Sequence, residues 1–436
     1  MESKKWGIIG GGIMGMTLAH RLSQSGHQVS LFEAAPNLGG LASPWKMKDV
    51  EWDKFYHVIL LSDSGTRQML KEIGLEDKIE WVETKTGFYM GGELYSMSNT
   101  IEFLKFPALN LIDKFRLGLT IFAASKIKDW KRLEKIPVTT WLKKWSGKKT
   151  FNKIWLPLLR AKLGESYERT SAVFIWATIQ RLYGARKSGL KKEMFGYVPG
   201  GYKQIIEAYK EKLMAERINI KTNYAAKEVK ISSNGKPAIY FADGAIEEFD
   251  EVIVTLPSGI AARLCKGLTG PEIEKLKNIE YLGVICVAVL LNQPVSRFYI
   301  TNITDTSVPF TGVIEMTALV DKKHFNGQSL VYLPKYLSPD DPMFNSSDEE
   351  IRSYFIENFK KMYPAIRDEN IQFAGVAKAK HVITVAKLNY SEMLPDIRTS
   401  IPGVSIINTS YIKDGTLNVN ETIRVAESKL QELLKK

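Results

Sequence analysis

Cysteine and histidine are scarce in this chain of 436 residues, which holds 2 cysteines and 5 histidines. Cys265 and Cys286 both stand within apolar runs, so we expect free thiols in a reducing compartment rather than a disulfide framework. The histidines show none of the spacings typical of metal ligands: His20, His27, His57, His324 and His381. The sequence therefore predicts neither a disulfide-stabilised scaffold nor a metal centre.

We expect no signal peptide, because the first predicted strand begins within a few residues of the N-terminus. Long hydrophobic runs are also lacking in the most basic part of the chain. Within residues 105–150 the longest uncharged run is Leu117–Ser125, far shorter than the roughly 20 residues that cross a bilayer. The segment is either an amphipathic surface helix or an ordinary helical cap with a solvated basic face. We expect a cytoplasmic protein, with peripheral association at the inner face of the membrane as the alternative.

Acidic residues are scarce in one stretch. Residues 105–193 hold 21 Lys and Arg residues against 6 Asp and Glu residues, a net charge of +15, whereas the whole chain carries +12. No nucleic-acid-binding motif accompanies this excess, so we expect no nucleic acid partner. An anionic membrane surface, or a small-molecule substrate that is apolar or bears an anionic group, fits the charge better.

A glycine-rich turn stands near the start of the chain. A short apolar strand, Lys5–Gly10, runs into Gly10-Gly11-Gly12-Ile13-Met14-Gly15, and a helical pattern follows. A second strand, Gln28–Phe32, then ends at Glu33. This order of strand, glycine loop, helix, strand and acid is typical of a dinucleotide-binding βαβ unit.

Each residue of this pattern has a physical role. Gly10 makes the tight turn, Gly12 lets backbone N–H groups approach a pyrophosphate, and Gly15 lets helix and strand pack closely. Glu33 can accept a hydrogen bond from a ribose hydroxyl, and the helix N-terminus adds positive potential at the phosphates. The pattern predicts a bound dinucleotide.

A second glycine pair follows the acid, in Ala34-Ala35-Pro36-Asn37-Leu38-Gly39-Gly40-Leu41-Ala42-Ser43. This pair resembles flavoproteins of the amine oxidase and protoporphyrinogen oxidase superfamily, which includes phytoene desaturase-like enzymes. The resemblance implies that the cofactor is FAD. It places FAD-binding residues in both glycine loops and beside the acid: Gly10, Gly12, Ile13, Met14, Gly15, Glu33, Ala34, Gly39, Gly40, Leu41 and Ala42.

Later segments carry the same resemblance. Trp155–Gly164 is similar to the helix and loop that cover the site in these flavoproteins, and Gly196–Gly201 is similar to the turn that returns the chain to the flavin domain. The resemblance implies that Val229 holds adenine through its backbone and that Thr255 ends a nucleotide-contacting strand. Asn420, Glu421 and Thr422 stand where a helix N-terminus lies under the flavin, although the glycines of the amine oxidase pattern are missing there.

The expected fold class is α/β, with a Rossmann-like, discontinuous FAD-binding domain and an α+β substrate-binding domain that includes a helical basic insertion. We assign residues 1–60, 200–266 and 401–436 to the FAD-binding domain. The substrate-binding domain takes residues 61–199 and 267–400, and its helical, basic part, 105–193, is the part that could face a membrane.

The expected activity is that of an FAD-dependent oxidoreductase that removes a hydride from an organic substrate in a mainly apolar pocket between the domains. Candidate catalytic residues are His57 at the substrate or flavin edge, Arg181 and Arg186 as anchors for an anionic group, and Lys335. Two alternatives stay open. One is a flavin-dependent, non-redox sugar-nucleotide mutase resembling UDP-galactopyranose mutase, and the other is a non-catalytic, membrane-associated flavin-binding scaffold.

Overall fold

The computed structural model describes residues 2–98, 100–185 and 194–435. Its strands are β1 Lys5–Ile9, β2 Gln28–Phe32, β3 Pro44–Met47, β4 Val50–Asp53, β5 Ile59–Leu60, β6 Glu80–Glu83, β7 Thr86–Met90, β8 Glu93–Ser96, β9 Met194–Tyr197, β10 Asn219–Lys221, β11 Ala226–Ile231, β12 Pro237–Phe241, β13 Ile246–Glu248, β14 Glu251–Val254, β15 Tyr281–Leu291, β16 Ile300–Ile303, β17 Gly312–Glu315, β18 Ser329–Leu337, β19 Ile371–Thr384 and β20 Val404–Ile406.

The α-helices are α1 Ile13–Gln24, α2 Ser64–Glu72, α3 Thr100–Lys105, α4 Leu111–Lys126, α5 Trp130–Glu134, α6 Val138–Ser146, α7 Lys148–Thr150, α8 Leu156–Leu163, α9 Val173–Ala185, α10 Gly201–Ala215, α11 Ser258–Leu264, α12 Gly270–Lys277, α13 Asp348–Met362, α14 Tyr390–Met393 and α15 Val419–Leu434. Short 3₁₀ turns occur at Gly40–Ala42, Glu76–Lys78, Gly164–Arg169, Met316–Ala318, Lys322–Phe325, Pro342–Asn345, Asp368–Asn370 and Thr409–Tyr411, and a π-helical turn at Phe151–Trp155.

A five-stranded parallel sheet in the order β10-β2-β1-β14-β20 joins parts of the chain that are far apart in sequence. Its central strands are buried on both faces, as their apolar sequences require. Helices α1, α10 and α15 cover one face, and the antiparallel sheet β11-β12-β13 with α11 covers the other. The carboxyl ends of β1, β2, β14 and β20 therefore lie at one edge, where such sheets bind ligands.

A seven-stranded sheet in the order β19-β15-β18-β17-β16-β7-β8 forms the second large unit. All eleven residues of β15 are buried. One face of the sheet packs on α13, and the other meets the segments that follow the second glycine loop. The residue limits of the two domains remain a prediction.

The basic segment is a group of short helices with its own core rather than one long helix. Leu117 of α4, Trp141 and Leu142 of α6 and Val173 of α9 are among the buried residues of this core. Among the described residues, no helix combines the length and the apolar composition needed to cross a membrane.

Candidate cofactor and substrate site

The first glycine loop lies at the carboxyl edge of the parallel sheet. Gly10 has a φ of +109°, a conformation that a residue with a side chain rarely adopts. A Cβ on Gly15 would collide with the carbonyl oxygen of Gly10, so α1 approaches β1 as closely as it does because Gly15 has no side chain. The predicted cofactor-binding residues Ile13 and Met14 form the first turn of α1 and are buried.

The side chain of Thr255 supports this loop. Its hydroxyl donates to the carbonyl of Ile9 at 2.9 Å, and there is no room for a side chain at Gly10 beside it. Thr255 thus lies at the predicted edge of the sheet, and its hydroxyl is engaged by the turn itself. This geometry favours a role in shaping the phosphate loop.

Glu33 links β2 to the same loop. One carboxylate oxygen accepts the N–H of Gly11 at 2.7 Å and the other accepts the N–H of Ala35 at 2.8 Å. Ala34, which was predicted to bind the cofactor, stands between Glu33 and Ala35 in the chain and is exposed. The carboxylate is therefore held at the end of β2, the position from which it can accept a ribose hydroxyl.

The two glycine loops lie against each other. The N–H of Gly39 donates to the carbonyl of Gly11 at 2.8 Å, and Gly39 and Gly40 both have positive φ. Leu41 and Ala42 follow in a 3₁₀ turn, with Ala42 buried.

This pair of loops fits a dinucleotide. A Cβ on Gly12 would meet only the Cα of Gly40, at 3.9 Å, so open space lies over the N-terminus of α1. No side chain caps that N-terminus, which leaves its N–H groups and positive potential for a pyrophosphate. The residues present therefore fit FAD.

Val229 is placed differently from the expectation. It pairs with Ile239 inside the antiparallel sheet, has no exposed surface, and its carbonyl accepts the N–H of Lys266 at 2.8 Å. The segment nearest the end of β2 is instead Asn223–Tyr224, where the Tyr224 N–H donates to the Glu33 carbonyl at 2.9 Å. Sequence reasoning missed Tyr224, because only the turn back from β10 brings it beside Glu33.

The C-terminal loop enters α15 as expected, just before Glu421. Asn418 is the N-cap and accepts the N–H of Glu421 at 3.0 Å, and the Thr422 hydroxyl donates to the Asn418 carbonyl at 2.8 Å. Glu421 forms an ion pair with Arg424 at 2.6 Å. Asn420 reaches across to α2, where its side-chain oxygen accepts the N–H of Gly65 at 2.8 Å.

An open cleft of about 560 Å³ separates this loop from α9. Asp63, Gln180, Arg181, Asn418 and Asn420 are among the residues that line it. The Arg181 guanidinium forms an ion pair with the buried Asp63 carboxylate at 2.9 Å. Arg186, the other predicted anchor, lies outside the described residues.

His57 borders a small cavity that is also lined by Asp53, Tyr197 and Tyr202. Its Nδ1 lies 3.5 Å from Asp53 Oδ2 and makes no hydrogen bond among the described residues. Asp53 is buried, and its other oxygen accepts the N–H of Tyr202 at the start of α10, at 2.8 Å. Nδ1 is therefore left with a hydrogen-bonding capacity that the protein does not use.

Tyr202 lines the cavity beside His57. Its ring lies 4.7 Å from that of His57, centroid to centroid. Burial raises the pKa of its hydroxyl, the charges of Asp53 and Asp63 raise it further, and the charge of Arg181 lowers it. The structure thus brings the predicted residues His57 and Arg181 into one neighbourhood.

An aromatic layer packs between the seven-stranded sheet and the strands β3, β4 and β9. Its members are Trp52, Phe55, Tyr56, Phe195, Tyr197, Tyr299, Tyr332 and Tyr336, and Leu41 of the second glycine loop packs against it. The hydroxyls of Tyr56 and Tyr336 share a hydrogen bond of 2.8 Å. Burial raises the pKa of Tyr336 to about 12 and that of Tyr56 well above its ordinary value, so both phenols are protonated at neutral pH.

Lys335 does not join this group. Along β18, Tyr332 packs into the aromatic layer, whereas Leu333 packs towards α13, and Lys335 shares the face of Leu333 because side chains alternate along a strand. Its ammonium donates to the carbonyl of Pro309 at 2.8 Å, and burial lowers its pKa. The geometry therefore speaks against the predicted catalytic role of Lys335.

Comparison with known proteins places this site in a family. The chain matches the flavin-containing amine oxidoreductases over residues 13–379. A 15-cis-phytoene desaturase of Glycine max is 20% identical over 384 residues, covering 82% of this chain, and the chain spans only 65% of that protein. A zeta-carotene desaturase of Synechocystis is 22% identical over an alignment of 424 residues that covers 85% of this chain and 85% of that protein.

Solved structures share the fold. A candidate protoporphyrinogen oxidase from Exiguobacterium superposes with a TM-score of 0.76 at 16% identity over 99% of both chains. Reduced UDP-galactopyranose mutase superposes with a TM-score of 0.73 at 15% identity, over 100% of this chain and 97% of the other. The predicted α/β fold class is confirmed.

The family match extends over most of the chain, from the first residue of α1 into β19. It agrees with the paired glycine loops, which fit the expected cofactor. This protein therefore belongs to the family of flavin-containing amine oxidoreductases.

Proposed function

We propose that this enzyme oxidises an apolar small molecule that reaches FAD through the cleft lined by Asp63, Arg181 and Asn420. The observation that carries the proposal is the aromatic layer, which packs against Leu41 of the second glycine loop. When bound, FAD supplies the redox chemistry by taking up a hydride equivalent and passing the electrons to an acceptor. The carotenoid desaturases among the relatives support an apolar substrate class.

The cofactor residues each have a distinct part in the proposal. Gly12, Gly40 and the first turn of α1 hold the pyrophosphate, and Glu33 accepts from the ribose. Asn418 and Asn420 order the N-terminus of α15, which stabilises negative charge at the cofactor. Tyr224 lies beside Glu33 and flanks the adenine end.

The substrate is held between the aromatic layer and the cleft. The phenols of Tyr56 and Tyr336 remain protonated and hydrogen-bond to each other, so neither acts as a base. Arg181 anchors an anionic group where the substrate has one, and His57 offers Nδ1 to the substrate or to the cofactor edge.

Substrate profiling with oxidised holoenzyme tests the proposal. Isoprenoids, porphyrinogens, amines and sugar nucleotides are supplied with a quinone or dioxygen as acceptor, and the products are identified by mass. We expect a product two hydrogens lighter from an apolar substrate. Arg181→Gln should then raise KM for a substrate with an anionic group more than for its uncharged analogue. Turnover confined to amines or sugar nucleotides would contradict the apolar substrate class.

The mutase remains the second candidate, because reduced UDP-galactopyranose mutase shares this fold over the whole chain. In that reading, cations of 105–193 bind the diphosphate of a sugar nucleotide. The carotenoid desaturases among the relatives favour oxidation over this second candidate. For the location of the enzyme we propose the cytoplasmic side of an anionic membrane, where an apolar substrate is concentrated.

A further inference from the structure

The outward face of α4 is apolar where a surface helix is normally polar. Leu111, Ile112, Phe115, Leu119 and Phe122 are exposed large apolar residues, and Phe115 is 72% exposed. The helix is already anchored by its other side, where Leu117, Thr120 and Ala124 are buried. The outward side chains are therefore not needed to hold α4 in the fold.

Helix α3 extends the same surface. Ile101 and Leu104 are also exposed, at 67% and 50%. We call these seven side chains the α3–α4 face: Ile101, Leu104, Leu111, Ile112, Phe115, Leu119 and Phe122. Soluble monomers rarely expose so many large apolar side chains together unless something binds there.

Cations border this face. Lys126 lies on the same side of α4 as Phe115 and Phe122, and its ammonium is 5.3 Å from the centroid of the Phe122 ring. Exposed Lys128, Lys131 and Arg132 follow directly in the chain. At the other end, Arg116 donates to the carbonyls of Lys144 and Trp145, which brings the exposed Lys143, Lys144, Lys148 and Lys149 beside α4.

We propose that the α3–α4 face docks on an anionic lipid bilayer. Apolar side chains enter the boundary between headgroups and acyl chains, and the bordering lysines meet the lipid phosphates, as in interfacial amphipathic helices. A protein partner would need an acidic rim around an apolar groove, whereas an anionic bilayer supplies both chemistries over any area. The docked surface thus includes helices α3 and α4 and the turns at 126–132 and 143–149.

The docked surface lies beside the cleft. Gln180 lines the cleft, and its side-chain amide donates to the carbonyls of Ala124 and Ile127 at the end of α4, at 2.8 Å and 3.1 Å. The adjacent residue in the chain, Arg181, holds the Asp63 carboxylate at the cleft wall. Docking would therefore bring the cleft close to the bilayer surface, and the part of this inference that concerns substrate entry rests on the proposed function.

Vesicle sedimentation of the FAD-loaded enzyme tests the docking. The vesicles are phosphatidylcholine alone or phosphatidylcholine with phosphatidylglycerol, at low and high salt, and no substrate is present. We expect binding only to the anionic vesicles, weakened by salt. Since each surface cation contributes about fivefold to partitioning, Lys126→Gln/Lys128→Gln/Lys131→Gln should bind about 100-fold more weakly. Phe115→Ser/Leu119→Ser/Phe122→Ser should bind at least about tenfold more weakly.

Matched variants supply the controls. Lys266→Gln/Lys275→Gln/Lys277→Gln removes the same charge from exposed positions at α12, and Met214→Ser/Ile246→Ser removes exposed apolar side chains from other surfaces. Both should bind like the unaltered enzyme, and flavin absorbance should be unchanged in all variants.

Failure of the unaltered enzyme to bind anionic vesicles would overturn the proposal. Self-association of an enzyme that does not bind vesicles would also overturn the proposal if the Phe115→Ser/Leu119→Ser/Phe122→Ser variant no longer self-associated. A second copy of the chain would then cover the face. Vesicle binding by an enzyme that oxidises no apolar substrate would support docking and count against the proposed function alone.

Discussion

The side-chain oxygen of Asn420 in α15 accepts the backbone N–H of Gly65 in α2 at 2.8 Å. The N-cap residue of helix α2 makes no side-chain hydrogen bond to the helix. Asn420, more than 350 positions later in the chain, caps α2 instead. The contact brings two helix N-termini to the same wall of the cleft, and both direct positive potential there.

Asn420→Ala should lower the free energy of unfolding by about 1 kcal/mol, because the N–H groups of Gly65 and Thr66 lose their acceptor. Asn420→Asp retains an oxygen acceptor and should keep most of that stability. Urea unfolding of the apoproteins measures both. Equal losses in the two variants would show that the hydrogen bond is not what Asn420 contributes.

Gly12→Val should abolish FAD binding while the apoprotein remains folded. The backbone at Gly12 has a φ of −73°, which any residue adopts, and a Cβ there meets only Gly40. The valine would instead occupy the space proposed for the pyrophosphate. Flavin content after purification and apoprotein circular dichroism test this, with Gly259→Val in α11, where nothing lies within 4 Å of a Cβ, as the control. Full flavin occupancy in Gly12→Val would rule out the proposed position of the cofactor.

Glu33→Ala should weaken FAD binding and destabilise the apoprotein by about 1–3 kcal/mol, because the N–H groups of Gly11 and Ala35 lose a charged acceptor. Glu33→Gln keeps one oxygen acceptor and should lie between Glu33→Ala and the unaltered enzyme. Fluorescence titration with FAD and thermal unfolding give the two readouts. An unchanged FAD affinity in Glu33→Ala would contradict the role of this carboxylate.

Glu315 should make stability depend on pH. Burial raises its pKa from 4.5 to about 7, although N–H groups of Ser296 and Val295 partly offset this. Between these values the folded protein keeps a proton that the unfolded chain has released, so stability falls as pH rises from about 4.5 to about 7, by up to about 3 kcal/mol. Glu315→Gln cannot ionise and should lack this part of the pH dependence. Urea unfolding from pH 5 to pH 8 compares the two proteins, and parallel profiles would contradict the raised pKa.

The cofactor loops were predictable from the sequence because their chemistry is local. Gly10, Gly12 and Gly15 are required by turn geometry and close packing within one βαβ unit, and Glu33 is set by the end of β2. The polar loop that enters α15 near Glu421 was also predicted from the local sequence.

Other features depend on contacts that sequence spacing does not show. The surroundings of Lys335 could not be predicted, because the register of β18 in the seven-stranded sheet decides which side chains face the aromatic layer. The β11–β12 pairing buries Val229, and the turn after β10 carries Tyr224 to Glu33. The ion pair of Arg181 with Asp63 joins elements more than 100 residues apart in the chain, and no local sequence pattern predicts it.

The central claim is that FAD in this enzyme oxidises its substrate, and anaerobic spectroscopy tests it most directly. An active apolar substrate is mixed with oxidised holoenzyme without an acceptor, and the visible flavin absorbance is followed. We predict that the absorbance is bleached in proportion to product formed and returns when an acceptor is added. Turnover only by enzyme reduced beforehand, on a sugar nucleotide and with no acceptor consumed, would contradict the account.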